Sequence, residues 1–446
     1  VRGEAWVRRR LHKIPLGYVL VKSDIENSRE FMSVANLLAK PELPELDADR
    51  FIDIDLFGQD MKANAPAYFS EWARKPPFYA TVQGHAHVVI CRHEQVQWAL
   101  RTHEIISAVP HQGWGTDLFD YFNGLPLVVD FDPPEHSRMR RLMQPGFAPN
   151  RISRLKPLID SMIDDLAKVM AEKNDFNMVT DFAGPLMYQI LLGGVFEFEP
   201  DVWPLFINLS NALELVATVP PGAPKPPEYM AAFDAVYEFC GKLIEDRRIN
   251  PKDDLVGSVI AAHDEKGAIS IEELFSTLVQ LFTAGLGTVP ATSSNAVLRL
   301  LRHPDQLALL RKDPSLLNMA LEECMRVDCL GNFRHRFVVK EHVIDGTPVY
   351  PGMVAHLALG AANYDPDKYP DPTRFDITRE PRDILTFGFG PHLCPGNNLA
   401  RMVTRAIVSR LIFGFPDLRL TNPDEVIVYG GMPTERFPTN VNLSVD

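Results

Sequence analysis

Hydrophobic and polar positions divide the chain into a long helical middle flanked by two stretches with strand character. Residues 77–92 (PFYATVQGHAHVVICR) alternate loosely and carry β-branched and aromatic side chains, the pattern of a hairpin turning near Gly84. Residues 94–103 read as a short helix. After Asp132-Pro133-Pro134 the pattern is helical over most of 135–320, interrupted by the rigid segment 220–227 (PPGAPKPP). Strand signals return over 335–358, with a turn at Asp345-Gly346, and a loop run covers 363–376. A last helix is predicted from about Asn398 to Phe413, followed by short strands. The strand-helix alternation of a doubly wound sheet is missing. The pattern predicts a mostly α protein with small β-sheets near both ends of the sequence.

The longest helix can be placed from its ends. Ser270 and Glu273 form a capping box, apolar positions continue to Leu301, and Pro304 demands a stop. About 32 residues at 1.5 Å each give ~48 Å, enough to cross the molecule. Its middle, Ala284-Gly285-Leu286-Gly287-Thr288-Val289-Pro290, holds two glycines and a proline and should break or kink the helix. Pro290 has no N–H, so the Leu286 carbonyl loses its usual partner. A threonine in such a place commonly bonds back to the carbonyl four residues earlier, here Ala284.

Composition narrows the function. Lys and Arg total 45 against 58 Asp and Glu, a net charge of -13, which argues against a nucleic-acid binder. The five cysteines, Cys91, Cys240, Cys324, Cys329 and Cys394, are widely spaced and form no C-x-x-C pair. A reduced, cytoplasmic protein with mostly buried thiols is expected rather than a zinc site or a redox dithiol. No uninterrupted apolar run approaches the ~20 residues of a membrane span. Residues 1–31 are locally basic, with seven Lys/Arg and four Asp/Glu, and precede Met32. They read as a mis-assigned start or a natural extension. An organelle leader is disfavoured by Glu4, Asp24, Glu26 and Glu30. Residues 32–446 are expected to form one domain.

The sharpest signal is Phe387-Gly388-Phe389-Gly390-Pro391-His392-Leu393-Cys394-Pro395-Gly396, which fits F-x-x-G-x-x-x-C-x-G. A chance match in such a chain is on the order of one in a thousand. Glycines let backbone approach a flat ligand closely. The helix that begins just after Cys394 brings free N–H groups and its positive end toward the sulfur, which should lower the thiol pKa. The competing reading is a buried structural cysteine in a Gly-rich turn. The segment resembles the haem-binding loop of the cytochromes P-450, and the resemblance covers almost the whole chain from about residue 65.

That resemblance implies the prism-shaped P-450 fold, haem b as cofactor and Cys394 as the iron ligand, with Phe387 and Gly396 in the cofactor loop. Of five E-x-x-R matches, it selects Glu323–Arg326, on a helix about 70 residues before the cysteine, as a structural ion pair. It proposes Arg374, in the loop after Asn363-Tyr364-Asp365-Pro366, as the third partner. His136, Arg140, Arg336 and His392 map onto propionate-binding positions, with Arg334 a rival for Arg336. Gly285, Gly287 and Thr288 fall in the oxygen-activating segment, where the threonine hydroxyl of relatives helps deliver a proton. Gly287 stands where relatives place a carboxylate, so the usual relay acid is absent.

The implied activity is monooxygenation: one atom of dioxygen enters an apolar small molecule, with electrons passing from NAD(P)H through a ferredoxin to a monomeric enzyme. The missing acid leaves room for a haem-thiolate peroxygenase, isomerase or dehydratase. A haem sensor or carrier would need neither Thr288 nor a ring-rich loop. Trp114, Phe119, Tyr121 and Phe122 lie in a loop that either plugs a core edge or lines an apolar pocket. Leu330, Asn332 and Phe333 extend the candidate wall, and Tyr121 or Asn332 could orient a substrate by one hydrogen bond. Arg138, Arg141 and Arg405 are a candidate docking face for an acidic ferredoxin.

Overall fold

A computed structural model describes residues 41–110, 122, 124–216, 219, 224–266 and 270–445. The leader 1–31, Trp114, Phe119, Tyr121 and part of the Pro-rich segment lie outside the described residues. Five helices position the site: α1 (Gln59–Trp72), α2 (Glu135–Met143), α3 (Ile271–Leu301), α4 (Leu317–Val327) and α5 (Asn397–Gly414). The main sheet has strands β1 (Phe78–Val82), β2 (His85–Ile90), β3 (Ile106–Ser107), β4 (Arg334–Val338) and β5 (Val354–Leu357), in spatial order β1-β2-β5-β4-β3. Only the β2–β5 pair is parallel; the other neighbours run antiparallel.

Both predicted turns form as read. Gln83 and Gly84 take φ of 52° and 78°, and Asp345 and Gly346 take 48° and 75°. Two successive residues in the left-handed region match the twist of a two-residue hairpin, and Gly accepts that conformation without a Cβ clash. The helix expected at 94–103 is shorter, His93–Ala99. The N–H groups of Arg101 and Thr102 and the Thr102 hydroxyl all turn onto the Trp98 carbonyl, which closes the helix and sends the chain into β3.

The expected break in the long helix does not occur. α3 runs for 31 residues, and its capping box is present: the Ser270 N–H donates to Glu273 Oε2 (2.8 Å) and the Glu273 N–H to Ser270 Oγ (3.2 Å). An interior proline costs roughly 3 kcal/mol. Each buried Leu, Phe or Val offsets that by about 1.5–3 kcal/mol, and α3 buries twenty residues, from Leu274 to Leu300. Packing therefore outweighs propensity. Hydroxyls of Thr283, Thr288, Thr292 and Ser293 each donate to the carbonyl four residues back at 2.8 Å. α3 is also long and apolar enough to cross a membrane, but 72% of its most apolar 18-residue window is buried inside the protein. It is the central core helix.

Candidate active site

The cysteine loop lies between the 3-10 turn Leu385–Phe387 and the start of α5. Gly388 and Gly390 take φ of 74° and 69°. A Cβ on Gly390 would also meet the Arg101 side chain at 3.1 Å and the Leu100 carbonyl at 3.3 Å, so this turn requires glycine there. The Cys394 N–H donates to the Phe387 carbonyl (2.9 Å), and the Asn397 side-chain amide donates to the Cys394 carbonyl (2.6 Å). Phe387 and Gly396 sit in this loop, with the position of a Gly396 Cβ 4.0 Å from the Cys394 sulfur.

The thiol departs from the sequence expectation. Burial pushes the Cys394 pKa up, and this outweighs the Gly396 backbone N–H and the charges of Arg140, Arg334 and Arg401, which act in the expected direction. The activating groups are in place, but desolvation of the sulfur is the larger effect.

Beside the loop is a cluster of buried cationic and imidazole groups. His136 and Arg140, one turn apart on α2, meet His392 of the loop and Arg336 of β4. The His136 and His392 ring centroids are 4.1 Å apart. His136 is 2% exposed and its Nδ1 has no hydrogen-bond partner; neither ring nitrogen of His392 makes a well-formed hydrogen bond. Arg336 is 8% exposed and forms no ion pair among the described residues; its Nη1 donates to the adjacent His335 carbonyl (2.8 Å). Arg140 donates to the Leu393 carbonyl. Burial, then Arg140 and Arg336, pushes the His136 pKa down to about 4. Burial, then Arg336, His136 and Arg140, takes His392 down to about 2. Burial lowers even Arg336, to about 10. Both imidazoles are therefore neutral near pH 7, and each can donate one N–H. Arg334, two residues before Arg336, makes a 3.0 Å bond to the Phe333 carbonyl.

One face of α3 borders open space. Ala284 and Gly287 are exposed in the middle of an otherwise buried helix, and Thr288, half-buried, is next to them. A Cβ on Gly287 would meet nothing within 4 Å. The Thr288 hydroxyl donates to the Ala284 carbonyl (2.8 Å), which leaves its oxygen lone pairs to accept. Gly285, by contrast, packs against Leu191 and Met187.

The Glu323–Arg326 pair is wholly buried, with Arg326 Nε 2.7 Å from Glu323 Oε2 and Nη2 2.8 Å from Oε1. Arg326 Nη1 also donates to the carbonyls of Asn363 (2.8 Å) and Pro372 (2.9 Å). The third guanidinium is not that of Arg374. That side chain is 64% exposed and pairs with Asp376, and only its backbone carbonyl faces the pair. Arg379 supplies the charge, with Nε 3.2 Å from Glu323 Oε1. The turn at Asp371, with φ of 50°, aims the Arg374 carbonyl inward and its side chain outward.

Other sequence assignments shift. Phe333 is core rather than wall: its ring packs edge-on against Phe57, Phe69 and His356 at 6.2–6.3 Å. Leu330 and Asn332 are buried, and Asn332 Oδ1 has no partner. Phe122 is half-buried against the main core. Arg138 is held by both carboxylate oxygens of Glu273, so it is a strut between α2 and α3 rather than an open docking cation. Sequence reading missed Arg379, and also Glu322, Asn397 and Arg401 around the loop. No local motif marks these residues, whose partners lie 3 to 79 positions away.

With this geometry in place, comparison with known proteins is decisive. The family model described as cytochrome P-450 matches residues 56–416. The chain belongs to the cytochrome P-450 family. Cytochrome P-450 107B1 of Saccharopolyspora erythraea is 35% identical, with the match covering 78% of this chain and 86% of that protein. A steroid C26-monooxygenase of Mycobacterium tuberculosis is 31% identical over 68% of this chain and 76% of its own. Among solved structures, CalO2 aligns with a TM-score of 0.79 at 27% identity, covering 88% of this chain and 99% of that one. CxnD, a P-450 for C–S bond formation in chuangxinmycin biosynthesis, aligns with a TM-score of 0.79 at 28% identity over 91% and 98%. The fold is therefore the mostly α P-450 fold with small sheets, and the protein is an oxygen-incorporating oxidoreductase with haem b as cofactor.

The residues present fit that group. Two propionates need buried donors and positive charge, and His136, His392, Arg140 and Arg336 offer orphaned N–H groups and guanidinium charge in one cluster. A metal deprotonates a coordinating thiol outright, so the raised pKa of the free Cys394 thiol is no obstacle to ligation.

Proposed function

We propose that this cytochrome P-450 is a monooxygenase of an apolar small molecule, supplied with electrons from NAD(P)H through a ferredoxin, with Cys394 as the proximal ligand of the haem iron. The observation that carries the reading is the buried His136–Arg140–Arg336–His392 cluster beside the cysteine loop, in which the His136 Nδ1 and both His392 ring nitrogens lack well-formed partners and two guanidinium groups bond only to backbone carbonyls. Haem, when bound, supplies the iron centre at which dioxygen is activated, and thiolate ligation favours O–O cleavage. The protein residues set its position and surroundings. Cys394 would hold the iron from one side. His136 and His392, as neutral donors, and Arg140 and Arg336, as cations, would hold the propionates. Thr288, whose hydroxyl hydrogen is donated to the Ala284 carbonyl, would present its oxygen as an acceptor that holds an ordered water in the site. Gly287 leaves room beside it, and the Leu286 carbonyl, freed by Pro290, offers a second polar atom for an ordered water there. A buried water needs two to four such partners.

An apolar substrate is supported by relatives named as a steroid C26-monooxygenase and a vitamin D(3) 25-hydroxylase. The deciding experiment has two steps. The reduced carbonyl complex should show the strongly red-shifted Soret band of thiolate ligation, and Cys394→Ala should lose it. A panel of apolar compounds is then titrated for a ferric spectral shift, and hits are incubated with ferredoxin, its reductase and NAD(P)H. Oxygenated product is expected. Product formed with hydrogen peroxide but not with the ferredoxin system would replace this reading with a peroxygenase.

A further inference from the structure

Cys394 is gripped through its backbone from two sides, and one side chain touches both grips. Its N–H donates to the Phe387 carbonyl (2.9 Å), and its carbonyl accepts from the Asn397 side-chain amide (2.6 Å). The Arg401 guanidinium lies over the Phe387 ring at 4.3 Å. Its Nη1 also donates to Asn397 Oδ1 (3.0 Å), which orients the amide so that its NH2 points at Cys394. The remaining two donors form a bidentate pair with Glu322, Nε–Oε1 at 2.6 Å and Nη2–Oε2 at 3.0 Å. A planar fork can satisfy a carboxylate and an amide at once and still stack on a ring; an ammonium cannot.

We propose that Arg401 is a positioning residue for the thiolate, acting through Phe387 and Asn397 and anchored by Glu322. The inference rests on Cys394 being the iron ligand. Glu322 adjoins Glu323, and the two point to different partners: Glu323 fixes the segment around Arg379, and Glu322 fixes the cysteine loop. α4 is thus a common brace for both. Neutralised by Glu322, Arg401 adds geometry more than charge, so its loss should alter how the sulfur is held rather than whether the chain folds.

The test uses the holoenzyme and three readouts: the reduced-carbonyl Soret band, the rate of haem loss to a scavenging apoprotein, and the melting temperature. Outer-shell partners typically contribute 10–100-fold to metal affinity. Arg401→Leu and Asn397→Ala should lose haem at least about 10-fold faster, and their carbonyl complexes should drift toward the unshifted band of a lost or protonated thiolate. Arg401→Lys keeps a cation opposite Glu322, so it should recover melting temperature but not haem retention. Glu322→Gln, a milder change, should shift both spectral readouts in the same direction by less. If Arg401→Leu and Asn397→Ala retain haem and band position like the wild type, or if Arg401→Lys restores all three readouts, the positioning role is refuted. A wild-type protein that lacks the red-shifted band would instead refute thiolate ligation itself.

Discussion

Arg379 places its Nε 3.2 Å from Glu323 Oε1, and so it completes the buried pair that Glu323 makes with Arg326. The Glu323 carboxylate has no exposure, and Arg379 is 15% exposed. A hydrogen bond to a charged group that leaves its partner buried is worth roughly 1.5–3 kcal/mol. Arg379→Ala should therefore cost about 2 kcal/mol, read as a lower denaturant midpoint with unchanged slope. Arg374→Ala should stay within about 0.5 kcal/mol of the wild type. Equal losses in the two variants would contradict the assignment.

Gly287 is an exposed glycine inside a helix, and nothing stands within 4 Å of its missing Cβ. Gly287→Ala should stabilise the protein by up to ~1 kcal/mol, because the helix propensity gain meets no clash. Gly287→Asp should fold equally well. On the water-relay reading, that acid gives no large gain in product formed per NAD(P)H consumed, whereas Pro290→Ala, which restores a donor to the Leu286 carbonyl, lowers it. A sharp gain from Gly287→Asp with no effect of Pro290→Ala would show that protons reach the site another way.

His87 and His356 stack across β2 and β5, with Nδ1 of the first 2.8 Å from Nε2 of the second. One nitrogen must donate and the other accept, so the pair cannot be doubly protonated without two donors facing each other. Burial, then His335, holds the His356 pKa down at about 3, against about 6.5 in an unfolded chain. The unfolded state thus binds the proton first. The stability from the neutral ring is complete above about pH 6.5 and is lost as pH falls toward 3, by up to ~1.4 kcal/mol per pH unit. His356→Phe should flatten the decline in unfolding free energy between pH 7 and pH 5 by about that amount, whatever its effect at neutral pH. An unchanged slope would mean that the ring binds its proton in the fold as readily as in the unfolded chain.

Much of this was legible in the sequence because local rules decided it. The turns at Gly84 and Asp345-Gly346, the Ser270–Glu273 cap and the start of α5 each rest on residues within a few positions of one another. The glycines flanking Cys394 follow from the same kind of evidence, whereas only the resemblance to the family singles out His136 and Arg140. Errors arose where tertiary packing decides. Pro290 looked like a helix breaker, but the burial around it outweighs one lost hydrogen bond. Arg374 and Arg379 both follow the same Asp-Pro loop, and only the backbone path selects between them. Phe333 has the composition of a pocket wall, yet its ring meets three other rings. The Cys394 thiol showed how desolvation, which has no sequence signature, can exceed charges that do.

The two adjacent glutamates of α4 also set where this sequence can be recombined with its relatives. Glu322 is tied to Arg401, Glu323 to Arg379, and Arg326 to the carbonyls of Asn363 and Pro372. A chimera joined anywhere between 327 and 363 separates α4 from these partners and mixes two parental solutions to the same bracing. A junction near His303, between α3 and the helix Pro304–Lys312, keeps all of these contacts within one parent. Residues from α4 to α5 therefore form a single unit of inheritance, and a donor segment that carries the cysteine loop must bring its own α4.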